Sequence, residues 1–347
     1  MTIERKVGMG IAGQPSGSAP DVAEVFSTHL YTGTGSGQTI TNGIDLAGEG
    51  GLVWIKWRSG NATAGNNTNN ILVDTETGTS KYLETDTTNA ATSTAALSSF
   101  NSNGFTTGGA ISDVDNSGDK YASWTFRKKR KFFDVVTYTG NGVAGRTISH
   151  SLGCDVGMII VKCLDDASWW PVYHRSTGAT NTQYMNSTNA SATATQWNNT
   201  VPTSSGFTVS GGSLVNLNNK GYVAYLFADN SSEDADDQMI KCGSFNSGNV
   251  GSVIDLGWES QFFMIKKSSS TSHWFMFDSM RGSLVDNVGG SKSSILHPSH
   301  SDGESSPTYY GGVHAEGFKQ EVADSSTWVY MAIRAPMMLE PEAGTDV

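Results

Sequence analysis

One series of landmarks occurs three times along this chain, in the same order and at nearly constant spacing. Each copy opens on an aromatic residue followed by a small polar turn: Tyr31-Thr-Gly-Thr-Gly-Ser-Gly, Tyr138-Thr-Gly-Asn-Gly and Phe245-Asn-Ser-Gly-Asn. An apolar run ending in lysine follows, Leu52-Val-Trp-Ile-Lys56, Met158-Ile-Ile-Val-Lys162 and Phe262-Phe-Met-Ile-Lys266. Next comes a Gly-Phe pair, at Gly104-Phe105, Gly206-Phe207 and Gly317-Phe318. An aromatic strand closes each copy: Tyr121-Ala-Ser-Trp-Thr-Phe126, Tyr222-Val-Ala-Tyr-Leu-Phe227 and Trp328-Val-Tyr-Met-Ala-Ile333. Lys162 lies 106 positions after Lys56, and Lys266 lies 104 after Lys162. A period of roughly 20–50 residues marks solenoids and propellers. One of roughly 100 residues is long enough for each copy to bury a core of its own.

The chain therefore reads as three tandem homologous domains at 26–130, 131–236 and 237–335, with an extended arm at 1–25 and a tail at 336–347. The boundaries coincide with charge clusters, Arg127-Lys-Lys-Arg-Lys131 and Glu233-Asp-Ala-Asp-Asp237. Such clusters stay hydrated between buried cores, so the basic one is expected to be a solvated linker before it is an anion site.

The fold class is all-β. No long window carries apolar residues at helical spacing. Strand patterns are dense at Leu52–Trp57, Phe132–Thr139, Met158–Cys163, Gly221–Phe227, Phe262–Lys266, His273–Phe277 and Trp328–Ile333. They are rich in β-branched and aromatic residues, and Gly, Asn and Ser bound them. In Tyr222-Val-Ala-Tyr-Leu-Phe227 both alternating faces are apolar, which predicts a strand covered on both sides. Each copy is expected to be a β-sandwich of jelly-roll or lectin-like kind, although a small barrel would give much the same pattern.

Composition narrows the partners. The formal net charge is −11, whereas nucleic-acid binding needs a basic footprint. No stretch is apolar and long enough for a membrane-spanning helix, and no apolar region follows Arg5-Lys6 as a secretion signal requires. The Gly/Pro-rich arm cannot bury itself. Cys154, Cys163 and Cys242 lack metal or disulfide spacing and read as buried free thiols. No cofactor is implied.

Candidate chemistry is sparse. Seven scattered histidines, including His150, His174, His297 and His300, lack a nucleophile-elbow motif and read as surface or loop residues. Asp74 and Asp278 end equivalent strands, with His174 at that place in the middle copy. An acid there is expected to fix a turn or pair with a neighbouring arginine. Asp113-Val-Asp115-Asn-Ser-Gly-Asp119 begins like a calcium loop but has Trp124 where the closing glutamate belongs. Those three aspartates are the candidate ion ligands, against a plain turn. Trp169, Trp170 and Trp197 are the candidate carbohydrate-stacking residues, against core packing. Trp197, between Gln196 and Asn198-Asn199, is the least core-like by its neighbours.

Longer phrases carry a resemblance. Phe133-Asp-Val-Val-Thr-Tyr-Thr-Gly-Asn-Gly, Thr147-Ile-Ser-His-Ser-Leu-Gly-Cys-Asp-Val-Gly-Met-Ile-Ile-Val-Lys, Tyr173-His-Arg, Gly221-Tyr-Val-Ala-Tyr-Leu-Phe-Ala and Gln238-Met-Ile-Lys-Cys-Gly-Ser resemble a poorly characterised family of virion proteins. That family occurs in tailed bacteriophages, notably marine ones, and is labelled tail-fibre-like or structural. The resemblance spans about 26–335. It implies a non-enzymatic virion-surface component contributing to host attachment. The arm, with Arg5, Lys6 and Val7, would anchor it to other virion proteins. A homotrimer and a host-surface glycan are the expected partners. A head- or baseplate-attached structural protein is the alternative, and a polysaccharide depolymerase a third.

Overall fold

The computed structural model describes residues 22–61, 68–282, 294–305, 311–322 and 324–336. The protein is all-β and β-sandwich-like, built from antiparallel sheets, and its few helices are single turns. One strand order recurs. The opening strand pairs with the closing strand, which pairs with the lysine-bearing strand, which pairs with its successor. In the first segment these are Phe26–Thr32, Lys120–Arg127, Gly51–Ser59 and Asn70–Asp74. The second has Phe133–Thr139, Gly221–Ala228, Val156–Cys163 and Pro171–His174, and the third Ile240–Asn246, Thr327–Arg334, Ser260–Lys267 and Trp274–Asp278. All seven stretches expected to be strands are strands, with small differences at their ends.

A smaller sheet built around the Gly-Phe strand covers one face of each large sheet. Gly104–Thr107 pairs with Thr39–Thr41, Gly206–Val209 with Arg146–Ser149, and Gly317–Gln320 with Val253–Asp255. The Gly-Phe pair has a steric cause. Gly104 and Gly317 have φ of 133° and 153°, and a Cβ there would stand 2.0 Å from the Ile40 carbonyl and 2.1 Å from the Ile254 carbonyl. The phenylalanine that follows plugs the interior: Phe105, Phe207 and Phe318 are all buried.

The large sheets are apolar on both faces, as strand alternation allows. In the first segment Tyr121, Val53 and Ile55 face the small sheet, while Trp54, Trp124 and Phe126 face the other way. In the third, Phe263, Ile265 and Trp328 point inward, and Phe262, Met264 and Met331 point outward. These second faces meet. Phe126 lies 5.5 Å from Phe227 of the second segment and 6.3 Å from Phe262 of the third, ring centre to centre. One buried cluster thus draws on all three segments. Among the described residues no strand is exchanged, yet the cores are not separate as the period predicted. A sheet with two apolar faces needs two covers, and the second is a neighbouring segment. The boundary charge clusters also touch, through an ion pair of 2.8 Å between Lys131 and Glu233. The basic linker is therefore not simply solvated.

Candidate functional site

The seam between segments holds the most unusual side chains. Lys56, Lys162 and Lys266 end the apolar runs and are all fully buried. Each ammonium donates to a carbonyl of its own segment and to one of another. Lys56 reaches the Thr68 and His300 carbonyls at 2.7 and 2.9 Å. Lys162 reaches those of Ser168 and Thr88 at 2.7 and 3.0 Å, and Lys266 those of Ser272 and Thr188 at 2.7 and 3.0 Å. The links run from the first segment to the third, the second to the first and the third to the second, closing a ring. Burial disfavours the charged form, holding Lys56 and Lys162 down at about 8 and Lys266 at about 7. Nearby carboxylates, Asp86 first, partly offset this at Lys56.

The strand-end residues follow the same cycle. The Trp124 indole donates to Asp278 at 3.0 Å, and the Tyr225 hydroxyl donates to Asp74 at 2.8 Å. At the third joint the equivalent closing-strand residue is Met331, which has no donor, and its partner position holds His174. His174 Nδ1 accepts from the Ser176 amide at 3.2 Å, which leaves the proton on Nε2. Nε2 donates to the Tyr330 carbonyl at 3.0 Å. Burial pulls this imidazole down to about 4. His174 is therefore an interior hydrogen-bonding residue and not the surface histidine expected. The turn role foreseen for the acids is present as well. Asp74 accepts from the amides of Glu76 and Thr77 at 3.0 and 2.8 Å, and Asp278 from Arg281 Nε at 2.6 Å. Arg175 pairs with Asp229.

The candidate sugar-stacking residues separate by burial. Trp197 is fully buried against Tyr173, 5.9 Å between ring centres. Its polar neighbours misled, because Asn198 and Asn199 have φ of 50° and 52°. They make a left-handed turn, which asparagine tolerates, and the turn drives the indole inward. Trp170 is also fully buried and donates to the Thr87 carbonyl at 3.1 Å across the seam. Trp169 is 42% exposed. Its ring stands edge-on to Tyr184 at 5.1 Å, and the Tyr184 hydroxyl accepts from the Gln196 amide at 3.4 Å.

The three aspartates of the calcium-like stretch do not converge. Asp115 holds the opening turn, accepting from the amides of Thr34 and Gly37 at 2.8 and 2.7 Å. Asp113 accepts from the Asn69 amide at 3.0 Å and Asp119 from the Asn61 amide at 2.5 Å. In the second segment Asn216 does the work of Asp115, accepting from the Asn141 amide at 2.9 Å. An amide can replace a carboxylate in a turn, which points to architecture and not to an ion. Among the described residues no three His, Cys, Asp or Glu side chains stand close enough to hold a metal. Arg5, Lys6 and Val7 lie outside the described residues. The cysteines are free and buried.

Two adjoining surface cavities of about 360 and 200 Å³ share Arg130 and Ser151. The larger is also lined by Lys128, Lys129, Phe133 and the carboxylates of Glu49 and Asp134, the smaller by His150, Gly153, Ser204 and Ser205. In the sequence this place is only a basic run at a segment boundary; the fold brings His150 and Ser204 to it.

No curated protein and no solved structure matches the chain. The match to a family is to DUF7483, a domain of unknown function, and it runs over residues 21–335, across all three segments and their shared core. The chain therefore belongs to the DUF7483 family.

Proposed function

We propose that this protein is a non-enzymatic component of a tailed-phage virion that contributes to attachment at the host surface. In this reading the three segments are homologous jelly-roll or lectin-like domains, closed on one another through the seam. The observation that carries the attachment role is Trp169, a half-exposed indole edge-on to Tyr184, whose hydroxyl accepts from the Gln196 amide. An aromatic face with hydrogen-bonding groups at its edge suits a sugar ring. The phrase-level resemblance to virion proteins supports the setting. Residues 1–25 would tie the protein to other virion proteins. Any homotrimer must use other surfaces, since the seam is already filled within one chain.

Trp169→Ala should reduce phage adsorption to host cells with only a small fall in melting temperature, because the ring is half-exposed and touches Tyr184 at its edge. Unchanged adsorption refutes the stacking site. The second reading, a head- or baseplate-attached structural protein, is favoured by the closed seam. Three segments gathered on one core reach less far than three in a row. Imaging of the intact particle distinguishes the two.

A further inference from the structure

We infer that the cleft around Arg130 binds the carboxylate of an acidic saccharide. The inference rests on the attachment reading for its biological setting but on separate residues. Arg130 is exposed at the mouth of both cavities. It has no carboxylate partner among the described residues, although the chain carries an excess of acids. Two acids line the larger cavity, Glu49 and Asp134, and both face cations other than Arg130. Asp134 accepts from the Ser151 amide at 2.7 Å and pairs with Lys128 at 3.5 Å. Glu76 takes Lys128 at 2.8 Å, and Glu49 faces Arg127 at 3.8 Å.

The arginine lies over Gly153. Its Nη2, Cζ and Nε atoms lie 2.5, 2.7 and 3.1 Å from where a Cβ on residue 153 would stand. The guanidinium therefore rests against the bare α-carbon of Gly153, whose φ of 70° also favours glycine. The planar fork of a guanidinium offers two parallel donors, which match a carboxylate and not a hydroxyl. Around it Ser151, Ser204 and Ser205 expose hydroxyls that suit the remaining oxygens of a sugar. His150 Nδ1 accepts from the Leu152 amide at 3.2 Å, and burial lowers the pKa of the ring. The histidine is thus neutral at pH 7. Of the charged groups in the cleft, Lys128, Lys129 and Arg130 outnumber Glu49 and Asp134 by one, and Asp134 is already paired with Lys128. The two cavities together fall in the range of roughly 300–1,000 Å³ typical of small-ligand sites.

The test is calorimetric titration of the full chain with a trimer of galacturonic acid, a trimer of galactose and acetate. Binding of the uronate trimer alone is expected, weakened at least tenfold in Arg130→Ala and not restored in Arg130→Lys, which keeps the charge but loses the fork. Equal binding of the neutral trimer, or full binding by either variant, overturns the proposal. Acetate binding as tightly as the uronate trimer removes its saccharide part. Trp169→Ala leaves this titration unchanged, so failure of the stacking surface and failure of the cleft show separately.

Discussion

Replacing Lys266 by methionine should change how stability depends on pH more than stability itself. The ammonium is fully buried and its bonds are to the Thr188 and Ser272 carbonyls. In the folded protein it titrates at about 7, against about 10.4 in an unfolded chain. Between those values the unfolded state binds more protons, so unfolding free energy rises with pH. From pH 7 to pH 9 this one residue contributes a rise on the order of 2 kcal/mol. Methionine matches the stem and carries no proton, so the variant lacks that rise. Its stability at any single pH is harder to interpret, because relief of desolvation opposes two orphaned carbonyls. Other titrations, including the Cys154 thiol that burial pushes up to about 11, are common to both proteins and cancel. Urea unfolding at pH 7 and pH 9 measures the two increments. The wild-type increment should exceed that of the variant by about 2 kcal/mol. Equal increments would mean that the amine keeps its ordinary basicity, and the account of a desolvated cation at the seam would fail.

Two further substitutions probe the same interior. Tyr225→Phe removes the hydroxyl that reaches Asp74 across segments and should cost about 2 kcal/mol. In a double-mutant cycle with Asp74→Ala, which removes the acceptor, most of that loss should disappear, and full additivity would show that the two side chains do not interact. Trp197→Ala should lower stability by about 3–5 kcal/mol, as for other buried large-to-small changes, seen as an earlier denaturation midpoint. A variant as stable as the parent would return Trp197 to the surface.

Local pattern reached the strands because their cause is local. Period-2 apolarity over Tyr222–Phe227 requires cover on both sides, and both sides are covered. The same pattern does not say what the cover is. A period near 100 residues suggested self-sufficient cores, yet the second cover of each large sheet is a neighbour. Nothing local tells a face buried by its own small sheet from one buried by another segment. The thrice-placed lysine was the available sign. A charged residue ending an apolar strand at the same place in every copy calls for a shared acceptor, and backbone carbonyls of another segment supply it. Trp197 failed for the opposite reason, since its polar neighbours serve a turn and reveal nothing of where the indole points. Arg130 was visible only as part of a basic run, because Gly153, His150 and Ser204 reach it through the fold and not through spacing.

Beside the lysine link that all three joints share, their second contacts have unlike chemistry: indole to carboxylate, phenol to carboxylate, imidazole to carbonyl opposite a thioether. An assembly of identical subunits must use the same side chains at every contact, so a substitution there arrives in triplicate. Joining the copies in one polypeptide releases that constraint. Each contact can diverge alone, and the molecule can acquire a distinguishable side while keeping its threefold pattern of connections.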